Sequence, residues 1–99
     1  MNMQAMMKQA QALQKEMMNM KAELDKTEFI GESSLVKVTV NGKKEVLSVT
    51  IDKSAELGAE DLEMLEDMVV VAINNAMNEI DKVTEQKMGK YTKGMPGLF

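Results

Sequence analysis

Cysteine and histidine are both absent from these 99 residues. Without Cys there is no disulfide and no thiolate metal site, and nothing points to an oxidising compartment. Without His, the usual general base and the commonest metal ligand are missing. Arginine is absent too, so all twelve cations are lysine. Bidentate reading of guanine most often uses Arg, and sequence-selective base readout is therefore not expected. Aromatic residues are reduced to Phe29, Tyr91 and Phe99. No apolar run approaches the roughly 20 residues of a membrane span. The N-terminus lacks the basic-then-apolar order of a signal peptide. The expectation is a cytoplasmic protein with no membrane partner.

Catalytic signatures are missing as well. No nucleophile–base pair, phosphate-binding glycine loop or dinucleotide fingerprint occurs. The paired carboxylates Glu60-Asp61 and Glu66-Asp67 are adjacent in sequence. On a helix they point to different faces and do not form an acid/base couple. Residues 60–67 also lack the glycine-turned loop of a calcium site. A non-enzyme is expected, with no cofactor, no metal and no small-molecule substrate.

What is present is organised around residues 35–52, LVKVTVNGKKEVLSVTID. β-Branched residues alternate with polar ones on both sides of Asn41-Gly42, which predicts a β-hairpin. Val36, Val38 and Val40 share one face of the first strand, and Leu47, Val49 and Ile51 share one face of the second. An even-numbered connection brings the two trios to the same face. An odd one without a bulge would set valines against Ser48 and Thr50. The expected register is Val36 opposite Val49 and Val38 opposite Leu47, with residues 41–44 as the connection and Gly42 at positive φ. A preceding strand over 27–32 would complete a three-stranded antiparallel meander, with Gly31 and Ser33-Ser34 as a bulge or turn. The second sheet face would carry Leu35, Lys37, Thr39, Val46, Ser48 and Thr50.

Helical patterns flank this sheet. Met3, Met6, Ala10, Leu13, Met17, Met20 and Leu24 alternate spacings of three and four, a heptad seam over residues 1–25 with Asn2 as cap. Its methionines suit soft core filling, an adaptable partner-binding groove, or, least well without Cys or His, a copper(I) site. A second helix is predicted over 59–88, with Leu62, Leu65, Val69, Ala72, Ala76, Ile80 and Val83 as its main stripe. Met68, Val70, Val71, Ile73 and Met77 widen that stripe until the helix is apolar nearly all round. Such a helix must be covered on more than one side. Leu35, Val46, Val70, Val71 and Ile73 are accordingly expected in a homodimer interface; the alternative is that the first helix covers the second within one protomer. Gly89 is expected to cap the helix, and residues 89–99 read as a flexible tail. The whole chain, 1–99, makes one α+β domain in α-β-β-β-α order.

Net charge is −4, which alone argues against nucleic acid. Its distribution is uneven. Residues 52–67 hold seven acids against Lys53, whereas residues 82–99 hold Lys82, Lys87, Lys90 and Lys93 against Glu85. Lys8 and Lys15 lie seven apart on the first helix, flanked by Gln4, Gln11 and Asn19, all able to contact phosphate or base edges. The candidate DNA-binding residues are therefore Lys8, Lys15, Gln4, Gln11, Lys82, Lys87, Lys90 and Lys93. Solvated lysines are the plainer reading. A protein-interaction module using the Met-rich seam is the competing function, and salt separates the two, because only phosphate binding weakens steeply with it.

Four stretches in order carry a resemblance: MMKQAQALQKEM (6–17), VKVTVNGKKEVLSVTID (36–52), EDLEMLEDMVVVAINNAMNE (60–79) and KMGKYTKGMPGLF (87–99). Together they resemble the YbaB/EbfC family of bacterial nucleoid-associated proteins. The resemblance implies tweezer-shaped homodimers of an α-β-β-β-α protomer. It also implies a cytoplasmic location on the nucleoid, double-stranded DNA as partner, and an influence on chromosome organisation and gene expression.

Overall fold

A computed structural model of the chain describes residues 2–94, with side chains described through Tyr91. The order is α1 (Met3–Lys26), β1 (Glu28–Ser33), β2 (Val36–Asn41), β3 (Val46–Ile51), a 3₁₀ turn (Ala59–Asp61) and α2 (Leu62–Gly94). The strands form one antiparallel sheet in the order β1-β2-β3. The molecule measures 71 × 20 × 14 Å, with a radius of gyration of 19.6 Å. A compact chain of this length would have about 13 Å. The elongation comes from the two long helices, α2 and α1, the latter mostly exposed.

The core lies between the sheet and α2. Phe29, Val36, Val38 and Val40 pack against Ala72, Ala76 and Ile80, with Leu65, Val69, Ile73 and Met77 at the margin. Gly31 is neither bulge nor turn. It pairs with Val38 in mid-strand, and a Cβ there would overlap the Ala72 carbonyl and come within 2.5 Å of the Ala76 amide nitrogen. Glycine on the strand and alanines on the helix let the two backbones meet. Asn75 of α2 donates to the Glu32 carbonyl on β1 at 3.1 Å, satisfying one group on that strand.

The β2–β3 register differs from expectation by two residues. Val36 pairs with Ile51, Val38 with Val49 and Val40 with Val46. The connection is odd, not even. Asn41 and Glu45 close it through a backbone hydrogen bond of 3.0 Å, leaving residues 42–44 as the loop. A bulge between Thr39 and Val40 leaves Leu47 as the extra residue on β3. That bulge restores the parity an odd loop would break, so Val49 and Ile51 still face the same way as Val38 and Val36. The positive φ belongs to Lys44 (67°), not Gly42, and a second to Ser34 (51°). Three-residue hairpin loops place a left-handed residue at this third position. Asn41 Oδ1 accepts from the amides of Lys43 and Glu45, which fixes the turn.

Leu35 lies in the β1–β2 turn, half-buried, and its carbonyl accepts from the Asp52 amide at 2.8 Å; it is not on a sheet face. Val46 belongs to the helix side, because it pairs with Val40. The outer sheet face therefore carries Lys37, Thr39, Ser48 and Thr50 beside Ile30, an ordinary solvated face. Finally, α2 does not stop at Met88. It continues to Gly94, so residues 89–94 are helical, and the rest of the expected tail lies outside the described residues.

Candidate nucleic-acid interface

Asn2 starts α1 by accepting from the Gln4 amide at 3.0 Å, which satisfies a helix-end donor. The other end is pinned. Leu24, Met88 and Tyr91 form a second buried cluster, with Met17, Met20 and Val83 packed against it. Tyr91 is 1% exposed, which explains why α2 runs past Gly89: its last turns have a partner in α1. The Tyr91 hydroxyl has no hydrogen-bond partner among the described residues.

The two helices run antiparallel through this junction. Leu24 and Asp25 lie near Ile80, Asp81 and Thr84, while Glu16 meets Lys90 farther along. The first two or so turns of α1 therefore stand beyond the last described turn of α2, at about 5.4 Å per turn. The seam that packs at Met17, Met20 and Leu24 continues outward as exposed Met3, Met6 and Leu13. Soft core filling thus describes only its inner half. No group of three or more His, Cys, Asp or Glu that could hold a metal exists among the described residues. No described helix is long and apolar enough to cross a membrane.

Lys15, Lys87 and Lys90 come to one end of the molecule, where α1 crosses the last turns of α2. Lys8 stands two turns farther out on α1, with Gln4 and Gln11 exposed beside it, and Lys82 lies lower on α2. Lys93 is on the same helix; its side chain lies outside the described residues. Lys8, Lys15, Lys82 and Lys87 are exposed, and no ion pair holds them among the described residues. Lys90 differs. Its Nζ lies 3.3 Å from Glu16 Oε1 and 4.9 Å from the centroid of the Tyr91 ring. The Tyr91 side chain first, and Glu16 second, push the Lys90 pKa up by favouring the charged ammonium. Sequence reasoning overlooked Glu16; the signal was available, since it is the lone acid before Glu23.

Glu16, Glu79, Asp81 and Glu85 lie among these lysines, but the densest group of acids is elsewhere. Glu60, Asp61, Glu63, Glu66 and Asp67 open α2, and that helix of 33 residues is about 50 Å long. Even Asp67 and Lys82 are separated by more than about 20 Å of helix. The Debye length at physiological salt is about 8 Å. Charge at the start of α2 is thus screened from its end, and the negative total says little about the lysine-bearing end. Nearer by, Asp81 is neutralised by Lys44 at 2.9 Å.

The predicted interface residues separate into three groups. Val70 and Val71 are 57% and 47% exposed on α2. Val46 is 45% exposed and continues with Val49 and Ile51 along the helix side of β3, which α2 does not cover. Ile73, by contrast, packs against the protomer's own core, and Leu35 sits in its turn. Among the described residues α1 meets α2 through the distal cluster and the Glu16–Lys90 pair, both toward the end of α2, so it does not cover the middle of α2 within the protomer.

A sequence profile of the YbaB/EbfC DNA-binding family matches residues 1–95. Among curated relatives, a nucleoid-associated protein of Lactococcus lactis subsp. cremoris MG1363 is 49% identical over 98 residues, covering 97% of this chain and 98% of its own. One from Enterococcus faecalis V583 is 47% identical, covering 98% and 94%. One from Streptococcus pneumoniae Hungary19A-6 is 46% identical, covering 97% and 98%.

Proposed function

The chain belongs to the YbaB/EbfC DNA-binding family, and from that premise we propose that it binds duplex DNA as a homodimer, with little sequence preference, through the lysine-bearing end of each protomer. The observation that carries this reading is the segregation of charge. Lys15 and Lys87, which no ion pair holds among the described residues, lie where α1 crosses α2, with Lys8 and Lys82 to either side, and the acidic start of α2 is several Debye lengths away. Lys8, Lys15, Lys82 and Lys87 act as point charges on phosphate, joined by Lys93 farther along α2, with Gln4 and Gln11 adding neutral contacts. Lacking Arg, the surface positions the protein on the backbone and reads bases poorly. The role is non-catalytic: the protein acts on the nucleoid in the bacterial cytoplasm, organising DNA and thereby influencing expression.

Dimerisation follows from the uncovered apolar residues. Val46, Val49 and Ile51 on an edge strand, with Val70 and Val71 on α2, are bare apolar side chains of the kind that mark a contact with another chain. Pairing two copies also doubles the lysines. A competition experiment tests the DNA reading: a labelled duplex is challenged with unrelated duplexes of equal length. Near-equal competition supports it, whereas one duplex competing a hundredfold better would contradict low specificity. The interaction module remains as a second reading because the outer seam of α1, with Met3, Met6 and Leu13, is exposed.

A further inference from the structure

We propose that Glu16 is a built-in brake on this surface: its carboxylate occupies Lys90, and a duplex must displace it before that lysine can reach phosphate. The inference rests on the DNA-binding reading and adds a control to it. Glu16 is the lone acid in the first 22 residues, and it is aimed at the other helix, with Oε1 3.3 Å from Lys90 Nζ. The two residues are 74 apart in sequence, so the pair is no by-product of local helix spacing. It exists because Leu24, Met88 and Tyr91 lock the helices together at that level. The buried Tyr91 ring gives the ammonium a second, rigid seat. Among the described lysines of the candidate interface, Lys90 alone is held in this way.

Both partners remain open to solvent, with side chains 62% and 57% exposed. An exposed pair of this kind is weakly held, so a high local density of phosphate can replace the carboxylate. Glu16 lowers affinity twice over: it removes one cation from the count and sets a negative charge against the duplex. A non-specific binder built in this way engages DNA loosely and leaves readily.

The test is a fluorescence-anisotropy titration of an unrelated duplex across salt concentrations, with Glu16→Gln, Lys90→Gln, the double variant and Glu85→Gln. Glu16→Gln should bind roughly tenfold tighter near 0.1 M salt, with a log–log slope steeper by about 0.9 for each lysine released. That gain should shrink to the small part owed to the removed charge when Lys90 is Gln, and Glu85→Gln, which removes an equal charge five residues from Lys90, should gain no more than that part. An equal gain in both Lys90 backgrounds, an equal gain from Glu85→Gln, or no gain would overturn the brake while leaving DNA binding itself in place. The pair is also read without DNA, by NMR titration of the Lys90 ammonium. It should deprotonate at lower pH in Glu16→Gln than in the unaltered protein, and an unchanged titration would refute the pair. A normal Lys90 response with no duplex binding by any of the proteins at low salt would reject the DNA reading and the brake with it.

Discussion

Gly42 carries no side chain because the backbone of α1 passes directly against it. A Cβ at that position would overlap the Leu24 carbonyl and lie 3.0 Å from the Asp25 Cα. The constraint is steric and tertiary, not conformational. Its demand is therefore stricter than that of a positive-φ turn, which Asn would tolerate. Gly42→Ala should destabilise the fold by about 1–3 kcal/mol, in the range of overpacked sites. The melting temperature should fall by about 4–8 °C per kcal/mol. An unchanged melting temperature would mean that α1 docks elsewhere. Sequence alone showed Asn41-Gly42 as a turn and attached the wrong reason to the glycine. Nothing local in NGKK announces that a helix end 18 residues upstream rests on it, nor that Lys44 takes the left-handed conformation. Gly31 is the same case: its neighbours Ala72 and Ala76 are close only in three dimensions.

At the scale of elements, strong periodicity was legible and boundaries set by partners were not. The heptad seam of α1, the three strands and the stripe of α2 stand where alternation and spacing place them. The β2–β3 register shifted because a three-residue loop with a bulge satisfies the same face pattern as an even loop; parity constrains the combination, not its parts. The end of α2 was missed because Gly89 looks like a cap until Tyr91 is seen packed against Leu24. Tyr91→Ala should therefore undock α1 without unfolding the sheet. Truncating a buried aromatic costs about 3–5 kcal/mol at its site. Hydrogen exchange should lose protection through residues 13–26, while β1 and β2 stay protected. Equal loss in the sheet would show that the two buried clusters form one cooperative unit.

For the whole molecule, the acidic total was misleading and the charge distribution was informative, because charges more than about 20 Å apart along α2 act nearly independently at physiological salt. The candidate lysines could be picked out as residues but not assembled. Only the crossing of α1 and α2, fixed by Leu24, Met88 and Tyr91, brings Lys15 to the same end as Lys87 and Lys90. The residues expected at a dimer interface fall into two sets. Val70, Val71 and Val46 are uncovered, whereas Ile73 and Leu35 serve the protomer itself. These groups predict different outcomes. Val71→Glu, at a position 47% exposed in the protomer, should convert the proposed dimer of 11.0 kDa chains into folded monomers or aggregates. Ile73→Glu should unfold the chain outright. Sedimentation of the unaltered protein as a monomer would contradict the dimer.

The most direct check of the central claim is the salt dependence of duplex binding by the unaltered protein, compared with a variant carrying Gln at Lys8, Lys15, Lys82 and Lys87. If about four to six phosphates are neutralised per dimer, the slope of log affinity against log salt should be roughly −4 to −5 for the unaltered protein. It should flatten markedly in the variant, to what Lys90 and Lys93 supply, and the variant's circular dichroism should be unchanged because all four lysines are exposed. Binding that ignores salt, or a slope undiminished by loss of the four lysines, would contradict the account.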